Sequence, residues 1–266
     1  MFKSLILSCS DLFDVKFKAG DLIDDRYRAV KWLGTGGYGR SFLVEDLEQN
    51  ELVVLKALRF HKRMSSRGRK GFILETDMLR SLDNASLPKV HSIGEANGVP
   101  YFTMDYINGK TFEQLIFSEG KRYEKSEVFR IGIELLQIIG YIHNQGIVHR
   151  DIRIPNVMVE NNHQLKLIDF GLARRIGFSS GQQPRRVNNK MKDLSFQSDF
   201  YALGHFILFL LYSCYETEDR AKERSWEEEL QLPLFIRSVL RRLLQLDEPY
   251  ERWQDIQGDF FIILNS

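Results

Sequence analysis

The sequence predicts an α+β fold that changes character once, near residue 108, and three observations carry that expectation. Before that point, short apolar runs with strand-like composition alternate with glycine-rich or polar turns: "YRAVKWLG" (27–34), "RSFLVED" (40–46), "ELVVLKALRF" (51–60), "KVHSIGEAN" (89–97) and "VPYFTMDYI" (99–107). After it come long apolar segments such as "VFRIGIELLQIIGYIHN" (128–144) and "FYALGHFILFLLY" (200–212), which read as buried helices. Between the two lies Asn108-Gly109, a dipeptide that breaks regular structure. The length of 266 residues fits one large domain or two small ones, and 43% hydrophobic with 27% charged residues suffices for a packed core.

The elements follow in order. Residues 1–23 are mixed and poorly periodic, and read as a lead-in; the apolar run Leu5–Leu7 is too short for a signal-peptide core. The domain is expected from residue 24, and from Tyr27 the strands form an antiparallel meander, with "NGV" as the turn of the last hairpin. "GRKGFILETDMLRSL" (68–82) places Phe72, Ile73, Leu79 and Leu82 among polar residues, as an amphipathic helix would. Past residue 108, Ser126 is positioned to cap the long helix. A hairpin, "NVMV" and "LKLI" joined by "ENNHQ", follows it, and the remainder is helical through "LPLFIRSVLRRLLQL" and "WQDIQGDFFIIL". The expected division is a sheet-rich part over 24–107 and a helix-rich part over 108–266. The stretch 200–212 is shorter than a membrane span and carries His205. A net charge of +1 argues against wholesale electrostatic binding of nucleic acid. Two distant cysteines, Cys9 and Cys214, form neither a disulfide framework nor a metal-binding spacing, which fits a reducing cytoplasm.

Several polar residues stand where chemistry could use them. "GTGGYG" holds Gly34, Gly36 and Gly39 between two antiparallel strands rather than at the start of a helix. That context suits a flap whose backbone N–H groups approach phosphates. Lys56 ends an apolar strand and Glu75 lies on the next helix; either alone reads as surface charge. Asp151 and Asn156 lie just before the second hairpin and Asp169 just after it. The hairpin returns the chain, so all three can converge, and Mg²⁺ prefers one or two carboxylates together with substrate phosphates.

In this order Gly34-x-Gly36-x-x-Gly39, Lys56, Glu75, His149-Arg150-Asp151, Asn156 and Asp169-Phe170-Gly171 resemble the eukaryotic-type (Hanks-type) protein kinase family, in its small bacterial serine/threonine form. The resemblance implies a protein-kinase-like bilobal fold, with a small β-rich N-lobe carrying one helix and a larger helical C-lobe. It also implies an ATP- and Mg²⁺-dependent enzyme acting on protein substrates, with autophosphorylation. Gly34, Gly36 and Gly39 would cover the ATP phosphates. Lys56 would contact the α- and β-phosphates, oriented by Glu75. Asp151 would accept the substrate hydroxyl proton, with Arg153 as a cation near the γ-phosphate, and Asn156 and Asp169 would hold Mg²⁺. Met104 falls at the gatekeeper position, and the backbone of Asp105 and Ile107 would bind adenine. "SDFYALG" (198–204) resembles the opening of the central C-lobe helix, with Asp199 supporting the catalytic loop.

The chain departs from the family pattern at four places. Ser41 and Val54 alter the adenine pocket, and Arg153 replaces a lysine. Residues 169–199 contain no Ala-Pro-Glu and no threonine, so Arg252 lacks its usual glutamate and the peptide platform is reduced or rebuilt. That keeps two other readings open, a small-molecule kinase and a nucleotide-binding pseudokinase. Arg150 implies an anion from the activation segment, met by a phosphate on Ser179 or Ser180 or by Asp193. Finally, "RFHKRMSSRGRK" (59–70) carries six Lys/Arg residues and no acid. It reads as a solvated loop and helix start, with docking of an acidic partner, nucleic acid or an anionic membrane as the sharper alternative.

Overall fold

The computed structural model describes residues 13–177, 190–215 and 224–266. Its internal contacts divide the chain into two units, 1–108 and 109–266.

In the first unit six strands, β1 (Leu22–Ile23), β2 (Tyr27–Thr35), β3 (Gly39–Asp46), β4 (Glu51–Leu58), β5 (Val90–Ala96) and β6 (Val99–Asp105), form one sheet in the order β1-β2-β3-β4-β6-β5. Every pairing is antiparallel. Asn97 and Gly98 turn between β5 and β6 at φ 51° and 72°, the positive pair that a two-residue hairpin of this twist requires. Strand β4 is central, and residues 53–58 are all buried, which explains why they are apolar apart from Lys56. Helix α1 (Phe60–Arg63) leads into α2 (Ser66–Arg80), so the unit has a short helix besides the one expected. Ser65 caps α2, its hydroxyl accepting from Gly68 N at 3.4 Å. Phe72 seats α2 on the sheet against Phe102, with ring centroids 5.1 Å apart. Ile73, expected on that buried face, is instead 58% exposed, because each residue turns the helix by about 100° from the last.

Residues 13–23, read as a lead-in, are tied to this unit. Strand β1 pairs with β2, and Gly20 and Asp21 exchange backbone bonds with Ala29 at 2.8 Å. Val15 and Phe17 pack against the core formed by Tyr27, Phe42, Leu55 and Tyr101, among others. Arg59, in the stretch read as solvated, is buried.

The second unit holds a small sheet, β10 (Leu165–Leu167), β9 (Val157–Glu160) and β7 (Gly109–Thr111) in that order, and a ladder of β8 (Ile147–Val148) with β11 (Arg174–Arg175). Around them are α3 (Lys125–Asn144), α4 (Phe196–Tyr212), α5 (Trp226–Glu229), α6 (Leu234–Leu243) and α7 (Trp253–Asn265). Helix α3 begins at Lys125 with Glu124 at its N-cap and no side-chain cap bond, so Ser126 lies inside the first turn rather than capping it. Helices α3 and α7 come close because α3 has glycine where they meet: a Cβ at Gly140 would lie 2.7 Å from the Trp253 ring. Phe129 and Phe260 close the same seam at 5.3 Å, and a buried aromatic of this kind stabilises by about 3–5 kcal/mol relative to alanine. Helix α4 is a buried core helix, as its composition implies. No helix among the described residues is long and apolar enough to cross a membrane.

Candidate active site

In the first unit, β4 and α2 bring Lys56 and Glu75 together. Lys56 Nζ lies 2.6 Å from Glu75 Oε1, with the two residues 4% and 1% exposed. Taking both charges out of water costs several kcal/mol per ion unless they are paired. Burial therefore excludes the surface-charge reading of either. The β2–β3 turn closes with Gly36 N donating to Gly39 O at 2.9 Å. Gly39 permits a close approach: a Cβ there would lie 2.7 Å from Lys56 Cγ. The two unusual residues of the expected adenine pocket sit beside these groups in register, Ser41 opposite Lys56 and Val54 opposite Met104. Asp105, at the end of β6, donates its amide to Lys89 O at 3.0 Å. Its carboxylate accepts from Lys89 N at 2.9 Å and meets His91 Nε2 at 2.8 Å. Ile107 is buried.

In the second unit, the loop between β8 and β9 carries His149 to Asn156. A completely buried carboxylate on α4 fixes its start: Asp199 accepts from His149 N at 2.9 Å and Arg150 N at 2.8 Å, and meets His143 Nε2 at 2.8 Å. These bonds hold Arg150 at φ 67°, a region costly for a side chain with a Cβ. Asp151 follows. Its side-chain Oδ2 and its backbone carbonyl accept from Asn156 Nδ2 at 2.9 and 2.8 Å, and Arg153 Nε lies 3.2 Å from Oδ1. Asn156 O accepts from Ile168 N at 2.9 Å, which sets Asp169 beside the loop. Asp169 is itself at φ 64° and accepts from Gly171 N at 3.4 Å. Burial raises the Asp151 carboxyl above its ordinary value of 3.8, and the Asp169 charge adds to this, while Arg153, His149 and the Asn156 bond pull it back. Burial lowers the imidazole of His149, which packs edge-on against Phe170 at 4.7 Å.

Each unit thus assembles its own set: Lys56 with Glu75 in one, and Asp151, Arg153, Asn156 and Asp169 in the other. The donor set suits Mg²⁺. Asn156 uses its amide nitrogen on Asp151, which leaves its carbonyl oxygen as the acceptor, and Asp169 adds a carboxylate. Two hard oxygen ligands fall short of a cage, as Mg²⁺ sites completed by phosphate and water do. Accordingly, no group of three or more His, Cys, Asp or Glu side chains that could hold a metal occurs among the described residues.

Arg150 Nε donates to Lys192 O at 2.9 Å, and Nη1 donates to Leu172 O at 3.2 Å. Ser179 and Ser180, where an activating phosphate was expected, lie outside the described residues. Arg252 pairs with Asp255 at 2.8 Å, one helical turn on. Sequence reasoning missed His143, which reads as one more apolar-face histidine, and Asp14, which lies in a segment without periodicity.

A family model of the protein kinase domain matches residues 27–266. The chain is 32% identical over 248 residues to "Probable serine/threonine-protein kinase YbdM" of Bacillus subtilis, covering 93% of each. It is 28% identical over 202 residues to the serine/threonine-protein kinase PrkC of the same organism, covering 72% of this chain but only 31% of PrkC. Among solved structures, the Mycobacterium tuberculosis PknI kinase domain superposes with a TM-score of 0.71 at 21% identity, covering 93% of this chain and 99% of that one. A β-rich unit with a buried lysine–glutamate pair, a helical unit with a carboxylate-anchored loop and a family match over nearly the whole chain agree, and the chain belongs to the protein kinase family.

Proposed function

We propose that this chain is an ATP-dependent serine/threonine protein kinase that transfers the γ-phosphoryl group of Mg-ATP to protein hydroxyls, its own included. The observation that carries the reading is the pairing of Lys56 with Glu75 under burial, together with an Asp151 carboxylate locked by Asn156 and by the Asp199-anchored loop. Phosphoryl transfer needs little covalent chemistry from the protein; positioning and charge stabilisation supply most of the effect. Lys56, held by Glu75, presents a fixed cation to phosphate oxygens. Asp151 orients the acceptor hydroxyl and takes its proton, and a carboxyl raised by burial is the stronger base. Arg153, exposed and in reach of Asp151, offers a second cation to the transferring group. Asn156 and Asp169 would hold Mg²⁺, whose chemistry is to neutralise charge on the phosphoryl oxygens.

The names of the relatives support protein hydroxyls as acceptors over a small molecule. The intact set of charged residues argues against a binding-only pseudokinase. The proposal includes the cytoplasmic placement read from the two distant cysteines. Incubation of the pure protein with γ-labelled ATP and Mg²⁺, alone, with generic protein substrates and with a lysate, tests it. Label in serine or threonine of protein is expected. Label confined to small molecules, or ATP binding without turnover, would overturn it.

A further inference from the structure

We propose that Asp14, thirteen residues ahead of the family match, is a positioning residue for phosphoryl transfer. It acts through a buried clasp on the chain that carries Glu75. This rests on the kinase reading above. Asp14 is 5% exposed, and both its oxygens are engaged: Oδ2 accepts from Arg59 Nε at 2.8 Å and Oδ1 from Phe60 N at 2.6 Å. Its neighbours tie residues 13–17 down, one at the same Arg59–Phe60 junction and two on β3. Phe13 packs on Phe60 at 5.2 Å, Val15 O accepts from Arg40 Nη1 at 3.1 Å, and Phe17 meets Phe42 edge-on at 5.0 Å.

The clasp grips the junction between β4, which carries Lys56, and α2, which carries Glu75. From there, contacts too close to slide run along one face of α2. A Cβ at Gly68 would collide with the Lys62 backbone of α1, and a Cβ at Gly71 would lie 2.6 Å from Tyr38 Cε1. Gly68, Gly71 and Glu75 are spaced i, i+3, i+7, so they share that face. Tyr38 belongs to the glycine-rich turn and is fastened to the same junction. Its carbonyl accepts from Arg59 N at 3.1 Å, and Lys62 Nζ sits 4.5 Å over its ring. One face of α2 therefore registers α1, the turn expected to cover phosphates, and the Lys56–Glu75 pair. The Asp14 carboxylate holds the end of that stack.

Asp14→Asn keeps an acceptor for Phe60 and removes the charge opposite Arg59. On the full-length protein, hydrogen exchange should quicken over residues 60–75 and stay unchanged over β5 and β6. In the kinase assay kcat should fall about tenfold, since a misplacement of 1 Å can cost about a hundredfold. The loss should vanish against Glu75→Gln: the double variant should be no slower than Glu75→Gln alone, because both act on the same pair. Arg59→Lys should repeat the pattern at smaller amplitude and covers the case in which Asp14→Asn does not fold. Unchanged exchange over 60–75 overturns the clasp. A full tenfold loss persisting in the Glu75→Gln background overturns positioning in favour of general destabilisation. A wild-type protein that transfers no phosphate to any protein sinks the kinase reading and the catalytic meaning of Asp14 with it, while the exchange data still decide the clasp.

Discussion

Replacing Asp199 with asparagine should damage the loop proposed to be catalytic without altering any group proposed to meet substrate. The carboxylate has no exposure and accepts from two consecutive backbone amides, His149 at 2.9 Å and Arg150 at 2.8 Å, besides meeting His143 at 2.8 Å. Asparagine offers one oxygen where two were used, so one amide must face an NH₂ group. An orphaned buried donor costs about 1–3 kcal/mol, and hydrogen bonds to a charged acceptor are each worth about 1.5–3 kcal/mol. A combined loss of about 3 kcal/mol follows from those ranges, which at about 2–4 °C per kcal/mol lowers Tm by roughly 6–12 °C. The effect on rate is separate. Arg150 is held at φ 67°, a strain of about 1–3 kcal/mol that persists only while its surroundings enforce it. Released, it relaxes and carries Asp151 with it. We expect kcat to fall about a hundredfold, or roughly 2.7 kcal/mol in barrier. Thermal melts and initial rates with labelled ATP at saturating nucleotide measure the two. A variant that melts early but retains kcat within about twofold, a barrier change under 0.5 kcal/mol, would refute the reasoning, for Asp199 would then support the fold and not the loop.

Asp151→Asn should leave less than about a tenth of the transfer rate, a barrier increase above 1.4 kcal/mol, and yet raise Tm near neutral pH. Burial raises the native carboxyl above 3.8, so the native state binds the proton more tightly than the unfolded chain. Stability then falls as pH rises from that value through the native one, and the cost is complete above it. The variant's advantage should shrink on acidification through the same window, and a lower Tm at neutrality would contradict the assignment. Asp169→Asn should raise the Mg²⁺ needed for half-maximal rate about tenfold or more, the scale on which even outer-shell changes act on metal sites; an unchanged Mg²⁺ titration removes Asp169 from the metal. Because Arg150 is already engaged by the carbonyls of Lys192 and Leu172, phosphatase treatment should change the rate by no more than about twofold, the size of an ordinary surface effect. A tenfold loss would return the segment to control by phosphate.

The sheet-rich and helix-rich halves were legible because a central strand such as β4 is apolar over Leu52–Leu55 and helices such as α3 are apolar on most faces. Glu75 could be named only as part of an ordered motif set; nothing local distinguishes it from a surface acid, and its burial depends on Lys56, nineteen residues away. Asp14 was illegible for a related reason. Periodicity reports faces, and residues 13–17 bind through separate groups, the side chains of Phe13, Asp14 and Phe17 and the carbonyl of Val15, to residues 59–60 and to Arg40 and Phe42 rather than through one face. Likewise Ser126 has the right residue type for a cap, but the helix starts one residue before it. Boundaries of this kind are set by what the preceding chain packs against, which composition does not record.

The bonds from His149 and Arg150 to Asp199 join positions 50 and 49 residues apart, and that separation has a consequence for synthesis. A ribosome that has reached residue 198 has already made Lys56, Glu75, Asp151, Asn156 and Asp169, yet not the carboxylate that bends the loop into place. Closing a loop of that size costs on the order of 3–4 kcal/mol of chain entropy before any contact repays it, so the bend waits until α4 exists and has docked. Until α4 is made the loop stays unset, and in refolding experiments phosphoryl transfer should return after the helical signal rather than with it.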